Sequence, residues 1–221
     1  MSVIEQIGGR GAFSRARKTE NRQRLIEAAG QVFERMGYSP ASVDDIARAA
    51  GVSRQTFYRH FEGKVSVGLA LYQELRENAV AVWQDIGADD AHDLEKVRRW
   101  LGRMFAVSGT QGAAIRTFFE MGIVEPAFFQ LSKSVVQELI SLLAERIPAF
   151  AGCGKTSPEE LRHQVEAWLL VFQIVDHSSN AAVGFLEVDL ECLIDVLATD
   201  FVAFVERHTP CERVVSLRTK N

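Results

Sequence analysis

The sequence predicts an all-α protein of about nine helices, with a small N-terminal three-helix head joined to a larger helical body. Three observations carry this. Apolar residues recur at three- and four-residue spacing almost everywhere, and the strict alternation of a half-buried strand is absent. Helix punctuation is frequent, with glycine, proline and Ser or Asp caps standing where the periodic runs begin and end. Charge is also divided along the chain: the 221 residues carry a formal net charge of −4, yet residues 1–64 hold +4 and residues 65–221 hold −8. A basic head on an acidic body suits a chain of which only the head is to meet phosphate.

Residues 1–19 form a basic, flexible arm with Arg10, Arg15, Arg17 and Lys18, continued by Arg22. Two roles stay open for it: reaching along a nucleic-acid backbone or minor groove, or serving as a solubilising tail. It contains no apolar h-region, so no export signal is expected and the expected address is cytoplasmic. Leu25, Ala29, Val32, Phe33 and Met36 then make a helical stripe that Gly37 stops. Beyond residue 64, Leu71, Tyr72, Leu75, Ala79, Val82 and Ile86 make another, ending at Gly87. Leu94, Val97, Leu101, Met104 and Phe105 resume the period after a polar linker, and Ile115, Phe118 and Phe119 mark a short helix. Pro126 opens a longer one that runs to about Pro148 or Phe150. Ser157-Pro158-Glu159-Glu160 is a capping box with proline at the first helical position, starting a helix to about Phe185. The last helix runs from about Asp189 to Arg207, and Pro210 halts it. No apolar run is long enough to span a bilayer, so no membrane partner is expected. Cys153, Cys192 and Cys211 are odd in number and scattered, and His208 with Cys211 offers two ligands rather than a set. Neither a disulfide scaffold nor a metal or other cofactor is expected.

The informative segment is Ser42 to Lys64, SVDDIARAAGVSRQTFYRHFEGK. Ser42 and Asp45 cap a short helix whose inner face is Ile46, Ala47 and Ala50. Gly51 follows, where a tight interhelical turn requires positive φ, and Val52 plugs the gap. Ser53 caps a second short helix that buries Phe57 and leaves Arg54, Gln55, Tyr58 and Arg59 outward, all of them hydrogen-bond donors. This is a helix-turn-helix, and its second helix is the one expected in the major groove. The stretch resembles the DNA-binding domain of the TetR/AcrR family of bacterial transcriptional regulators, from Arg24-Leu25-Ile26-Glu27-Ala28-Ala29 through Gly37-Tyr38 to Thr56-Phe57-Tyr58-Arg59-His60-Phe61 and Lys64. Gly63 and Val65-Ser66-Val67 depart from the usual turn after the recognition helix.

The resemblance implies roles. Arg54 and Gln55 face base edges, arginine suiting guanine and glutamine adenine. Thr56, Tyr58 and His60 take phosphate positions, Ser53 and Arg59 flank them, and Lys64 holds a phosphate. Ser42 and Val43 present N–H groups that suit another. The implied organisation is an arm (1–19), a helix-turn-helix DNA-binding domain (20–64), an effector-binding and dimerisation domain (65–209) and a tail (210–221). The implied partner is a pseudo-palindromic double-stranded operator.

In the body, Leu190, Leu193, Ile194, Leu197, Phe201 and Phe204 form a core stripe, and Cys192, Val196, Thr199 and Ala203 a second one of smaller residues. Helices apolar on more than one face must be covered on more than one side, so the last two helices are expected to pair two copies as a homodimer. Trp100, Met104, Phe105, Phe118, Phe119, Met121, Phe128, Trp168 and Phe172 are core residues by composition. In a TetR-like body the same helices surround an effector site, which implies an apolar or aromatic small molecule. Gln173, Asp176, His177 and Asn180 make a polar break in the apolar helix, and two roles stay open for them: orienting that molecule, or capping a kink and facing solvent. The function expected is a repressor released from its operator by such an effector; the alternative is a regulator of the same type governed by a protein partner or dimerising constitutively. No catalytic constellation is found, because adjacent Asp176, His177 and Ser178 diverge by about 100° each on a helix.

Overall fold

The computed structural model describes residues 3–151 and 157–209, with the side chains of residues 3–15, 127 and 129–133 outside that description. Cys153, Cys211 and the tail from residue 210 therefore lie outside the described residues. Among these residues the chain is all-helical, with nine α-helices and one 3-10 turn. They are α1 (Val3–Met36), α2 (Val43–Ala49), α3 (Arg54–Tyr58), α4 (Lys64–Trp83), α5 (Leu94–Thr110), α6 (Gly112–Val124), α7 (Pro126–Ala144), α8 (Pro158–Ala182) and α9 (Leu190–His208), the turn being Pro148–Phe150. Helix α1 takes in most of the segment expected as an arm. Among the described residues no helix is long and apolar enough to cross a membrane.

The chain divides into two compact units, one of Met1–Leu75 with Arg116–Phe128, the other of Arg76–Ile115 with Phe129–Asn221. The boundary thus falls inside α4, α6 and α7, so the chain crosses between the units three times.

In the first unit, Leu25, Ile26, Ala29, Val32 and Phe33 of α1 are buried with Ile46 and Ala47 of α2 and Phe57 of α3. Met36 ends the helix because Gly37 follows at φ 82°, a left-handed conformation that a side chain would strain. The second half of α6 belongs here. Its Phe118 stacks on Tyr72 of α4 at 4.5 Å between ring centroids, and Phe128 packs edge-on to Tyr72 and tilted against Phe118. Met121 lies so close to Gly68 that a Cβ there would come within 2.3 Å of its methyl group.

In the second unit, α5 packs on α8 and α9, and α8 on α9. The core joins Trp83 and Ile86 with Trp100, Leu101, Met104 and Phe105 of α5, Phe150 of the 3-10 turn, Val171 and Ile174 of α8, and Phe201 and Phe204 of α9. Asp93, Ser157 and Asp189 cap α5, α8 and α9 through their side chains, Ser157 in the capping box its sequence announces. Near the C-terminal end of α9, Glu166 of α8 accepts hydrogen bonds from Arg162 (2.8 Å), Arg207 (3.0 Å) and His208 (2.9 Å). The His208 ring stacks on His163 at 4.1 Å.

Candidate nucleic-acid interface

The site grows from two capped helices. Ser42 closes a capping box on α2, its hydroxyl accepting from Asp45 N–H at 3.2 Å while Asp45 accepts from Ser42 N–H at 3.1 Å. The Ser42 hydroxyl also donates to the Asp45 carboxylate, and that bond first, then the one from Ser42 N–H, holds the carboxyl below its ordinary range, with Arg48 adding to the effect. Ser42's N–H, expected to be free for a phosphate, is therefore occupied, and Asp44 and Asp45 put negative charge in the first turn of α2. Gly51 follows the end of α2 at φ 64°, as the turn requires, and Arg24 of α1 donates to the carbonyl of Ala50 at 2.6 Å. That cap stabilises the C-terminal end of α2, where carbonyls are unpaired.

Ser53 caps α3 by accepting from Thr56 N–H. Phe57 is fully buried on the inner side of α3, while Arg54, Gln55, Tyr58 and Arg59 are exposed on the outer side. Arg59 donates to the Thr56 hydroxyl at 2.8 Å. Arg54 is held in place: one guanidinium nitrogen bonds Asp44 at 3.0 Å, another reaches the Tyr58 hydroxyl at 3.5 Å, and the group lies over the Tyr58 ring. Reading a guanine with both arms therefore requires Arg54 to exchange Asp44 for the base. His60 is half-buried. Burial first, then the charges of Lys18, Arg59 and Arg22, hold its imidazole below the usual histidine range. These cations make the ground beside α3 electropositive, and Arg22 also lies over the Phe61 ring at 5.2 Å.

Lys64 is placed differently from the phosphate contact expected of it. Its ammonium donates to the carbonyls of Tyr38 (2.8 Å) and Ser39 (3.1 Å) and sits 4.3 Å from the Tyr38 ring centroid, and burial lowers its pKa. Val43 is half-exposed as the first residue of α2.

The expected effector residues divide between the units. Phe118, Phe119, Met121 and Phe128 lie in the first and the other six in the second. Trp100, Met104 and Phe105 are core residues there, and the Trp100 indole N–H is already satisfied by the Val82 carbonyl at 2.8 Å. Trp168 and Phe172 are each 40% exposed and stack on one another at 4.9 Å, on the opposite side of α8 from Ala167, Leu170, Val171 and Ile174. In the polar break, Asn180 donates to the Asp176 carbonyl and Ser178 to that of Val175, so both serve the helix backbone. Sequence reasoning did not single out Asp44, Arg24 or Tyr38 as partners. Arg24 is 26 residues from its acceptor, and no periodicity relates positions that far apart.

Two capped helices with an apolar reverse side, set in an all-helical chain, define a helix-turn-helix protein. Residues 25–71 match the family described as bacterial regulatory proteins, tetR family. The chain is 39% identical over 74 residues to the HTH-type transcriptional activator FasR of Mycolicibacterium smegmatis, covering 34% of each chain. It is 31% identical over 147 residues to the HTH-type transcriptional regulator EthR of the same organism, covering 63% of this chain and 65% of that one. The match thus spans about a third of the first relative's length and just under two-thirds of the second's. A tetR-family transcriptional regulator from Streptomyces coelicolor shares the fold at a TM-score of 0.62 and 21% identity, covering 90% of this chain and 89% of that one. Residues 25–71 thus carry the DNA-binding segment described for the tetR family, within an all-helical fold that the Streptomyces coelicolor regulator shares.

Proposed function

We propose that this chain is a cytoplasmic, sequence-specific DNA-binding transcriptional regulator that acts as a homodimer, and that it is a repressor released from its operator by an apolar or aromatic small molecule. The observation that carries the DNA-binding part is the division of α3: Phe57 is sealed inside while Arg54, Gln55, Tyr58 and Arg59 stand outward, beside Lys18, Arg22 and His60. A helix so divided offers base-edge donors at its N-terminal end and phosphate donors around them. In a dimer, two such helices enter successive major grooves about 34 Å apart, which selects a pseudo-palindrome. An effector in the body that shifts α4 changes the separation of the heads and weakens binding.

The test is selection of duplexes from a random library by the full-length protein, followed by anisotropy titrations. A half-site repeated in inverted orientation is expected. Arg54→Ala is expected to weaken the selected duplex roughly tenfold or more and to relax preference at one position per half-site. If the wild-type protein recovers no sequence, the regulator reading fails; if Arg54→Ala binds and discriminates like the wild type, the assigned reading face is wrong. A reporter placed behind the selected site then separates repression from activation, the activity named for FasR. A regulator without small-molecule input is the second reading, and the burial of Trp100 in the core, with its indole N–H bonded inside the protein, favours it.

A further inference from the structure

Tyr38 is a junction of three helices, all within the first unit. It stands just past the end of α1, and each of its polar groups has a partner. Its N–H donates to Glu120 of α6 at 2.6 Å, and its hydroxyl donates to Glu125, in the turn between α6 and α7, at 3.0 Å. Its carbonyl accepts from Lys64, the first residue of α4, whose ammonium also faces the ring. Phe33 packs on the ring at 5.2 Å, and the side chain is buried. The chain leaves Tyr38 through Ser39, also held by Lys64, and enters α2 at Val43. It leaves α3 at Tyr58 and returns to the junction at Lys64. The helix-turn-helix is therefore bracketed at both ends by Tyr38 and Lys64, and two carboxylates from a segment more than 80 residues away hold that bracket. Gly37 is fitted to the arrangement, since a Cβ there would come within 3.3 Å of the Glu120 carboxylate.

We infer that Glu120 and Glu125 are positioning residues for DNA recognition: through Tyr38 and Lys64 they set the placement of α2 and α3 without touching DNA. The inference rests on the DNA-binding reading above. Its signature is a reversal of sign. Removing an acidic side chain from a DNA-binding head raises its positive charge, which by phosphate electrostatics alone strengthens binding to every duplex. Loss of a positioning contact weakens the specific duplex instead.

The test uses the full-length protein, the duplex recovered by selection and a scrambled duplex of the same composition. Glu120→Ala is expected to lose roughly tenfold in affinity for the selected duplex, as befits an unsatisfied buried N–H, while the scrambled duplex binds as before or slightly tighter. Glu120→Gln, which keeps an oxygen to accept from Tyr38 N–H, is expected to restore most of the loss. Tyr38→Phe, which keeps the ring and drops the hydroxyl, is expected to lower the ratio of specific to scrambled affinity, and it decides the matter if Glu120→Ala does not fold. Glu120→Ala binding the selected duplex at least as tightly as wild type would overturn the inference. So would Glu120→Gln falling as far as Glu120→Ala, or an unchanged ratio in Tyr38→Phe. Failure of the wild-type protein to select any duplex is the separate result that removes the DNA-binding reading itself.

Discussion

Glu166 receives donors from three side chains on two helices, and they hold its carboxyl well below the ordinary value of 4.5, at about 2, with His208 contributing first and Arg162 next. A carboxylate that holds its proton less firmly when folded than when unfolded contributes stability above its unfolded pKa. That contribution is lost as pH falls through the folded value. Glu166→Gln is therefore expected to lower the melting temperature at neutral pH, with the gap to wild type closing between pH 4.5 and about 2. Parallel melting curves across that range check it; a gap that stays constant down to pH 2 would show that the charge is not what the cluster uses. At the same scale, the outward residues of α3 are legible in the sequence because Phe57 fixes which side faces in. What holds Arg54 is not legible. Asp44 lies ten residues away on another helix, and only the crossing of α2 and α3 brings the two to 3.0 Å. Lys64 shows the same gap: its sequence position matches a phosphate contact, whereas its ammonium is drawn to two carbonyls at a turn.

At the scale of the element, the capped starts of α2, α3, α8 and α9 stand where Ser42, Ser53, Ser157 and Asp189 place them, because a cap is a local event between residues two or three apart. Helix ends are less legible. The apolar rhythm carries on to Ile86 and to Phe185, yet α4 ends at Trp83 and α8 at Ala182. Spacing reports which residues seek the core, and Ile86 is buried from outside the helix. The two stripes of α9 separate clearly in space: Leu197, Phe201 and Phe204 are buried, while Cys192, Val196, Thr199 and Ala203 are exposed. Leu190, expected in the core stripe, is 43% exposed because it sits in the first turn of α9. On α8 the exposed apolar residues Leu161, Val165, Trp168, Leu169 and Phe172 follow one another at helical spacing. A continuous apolar face on an outer helix calls for a partner surface. On the proposed pairing of two copies through α8 and α9, Val196→Asp is expected to split the dimer, since an unpaired charge at a buried interface costs several kcal/mol. Light scattering at micromolar concentration checks it. A monomeric wild type, or a variant as dimeric as wild type, would place the interface elsewhere.

For the whole molecule, coupling between an effector and DNA must be mutual: whatever factor the effector takes from operator affinity, the operator takes from effector affinity. A useful response needs a coupling of about 1–3 kcal/mol. A panel of apolar and aromatic metabolites, read by thermal shift and then by release of the selected duplex, is expected to yield a compound that does both. If none both stabilises the protein and releases the duplex, the small-molecule input fails and DNA binding stands alone. The helix-turn-helix is visible in the sequence, but the contribution of α6 to the first unit is not. Contacts such as Tyr38 to Glu120 leave no rhythm in the sequence.

That contribution bears on how the protein is made. Because Arg116–Phe128 belongs to the same unit as Met1–Leu75, the ribosome has to add all of Arg76–Ile115, which belongs to the other unit, before the missing piece begins to arrive, and must reach Phe128 before it is complete. Until then Tyr38 lacks its acceptors, Tyr72 lacks its stacking ring, and Gly68 faces the gap that Met121 will fill. The nascent N-terminal segment must wait, incompletely packed, through roughly 5 seconds of synthesis at about 10 residues per second. A fragment cut at residue 75 would remain in that state for good.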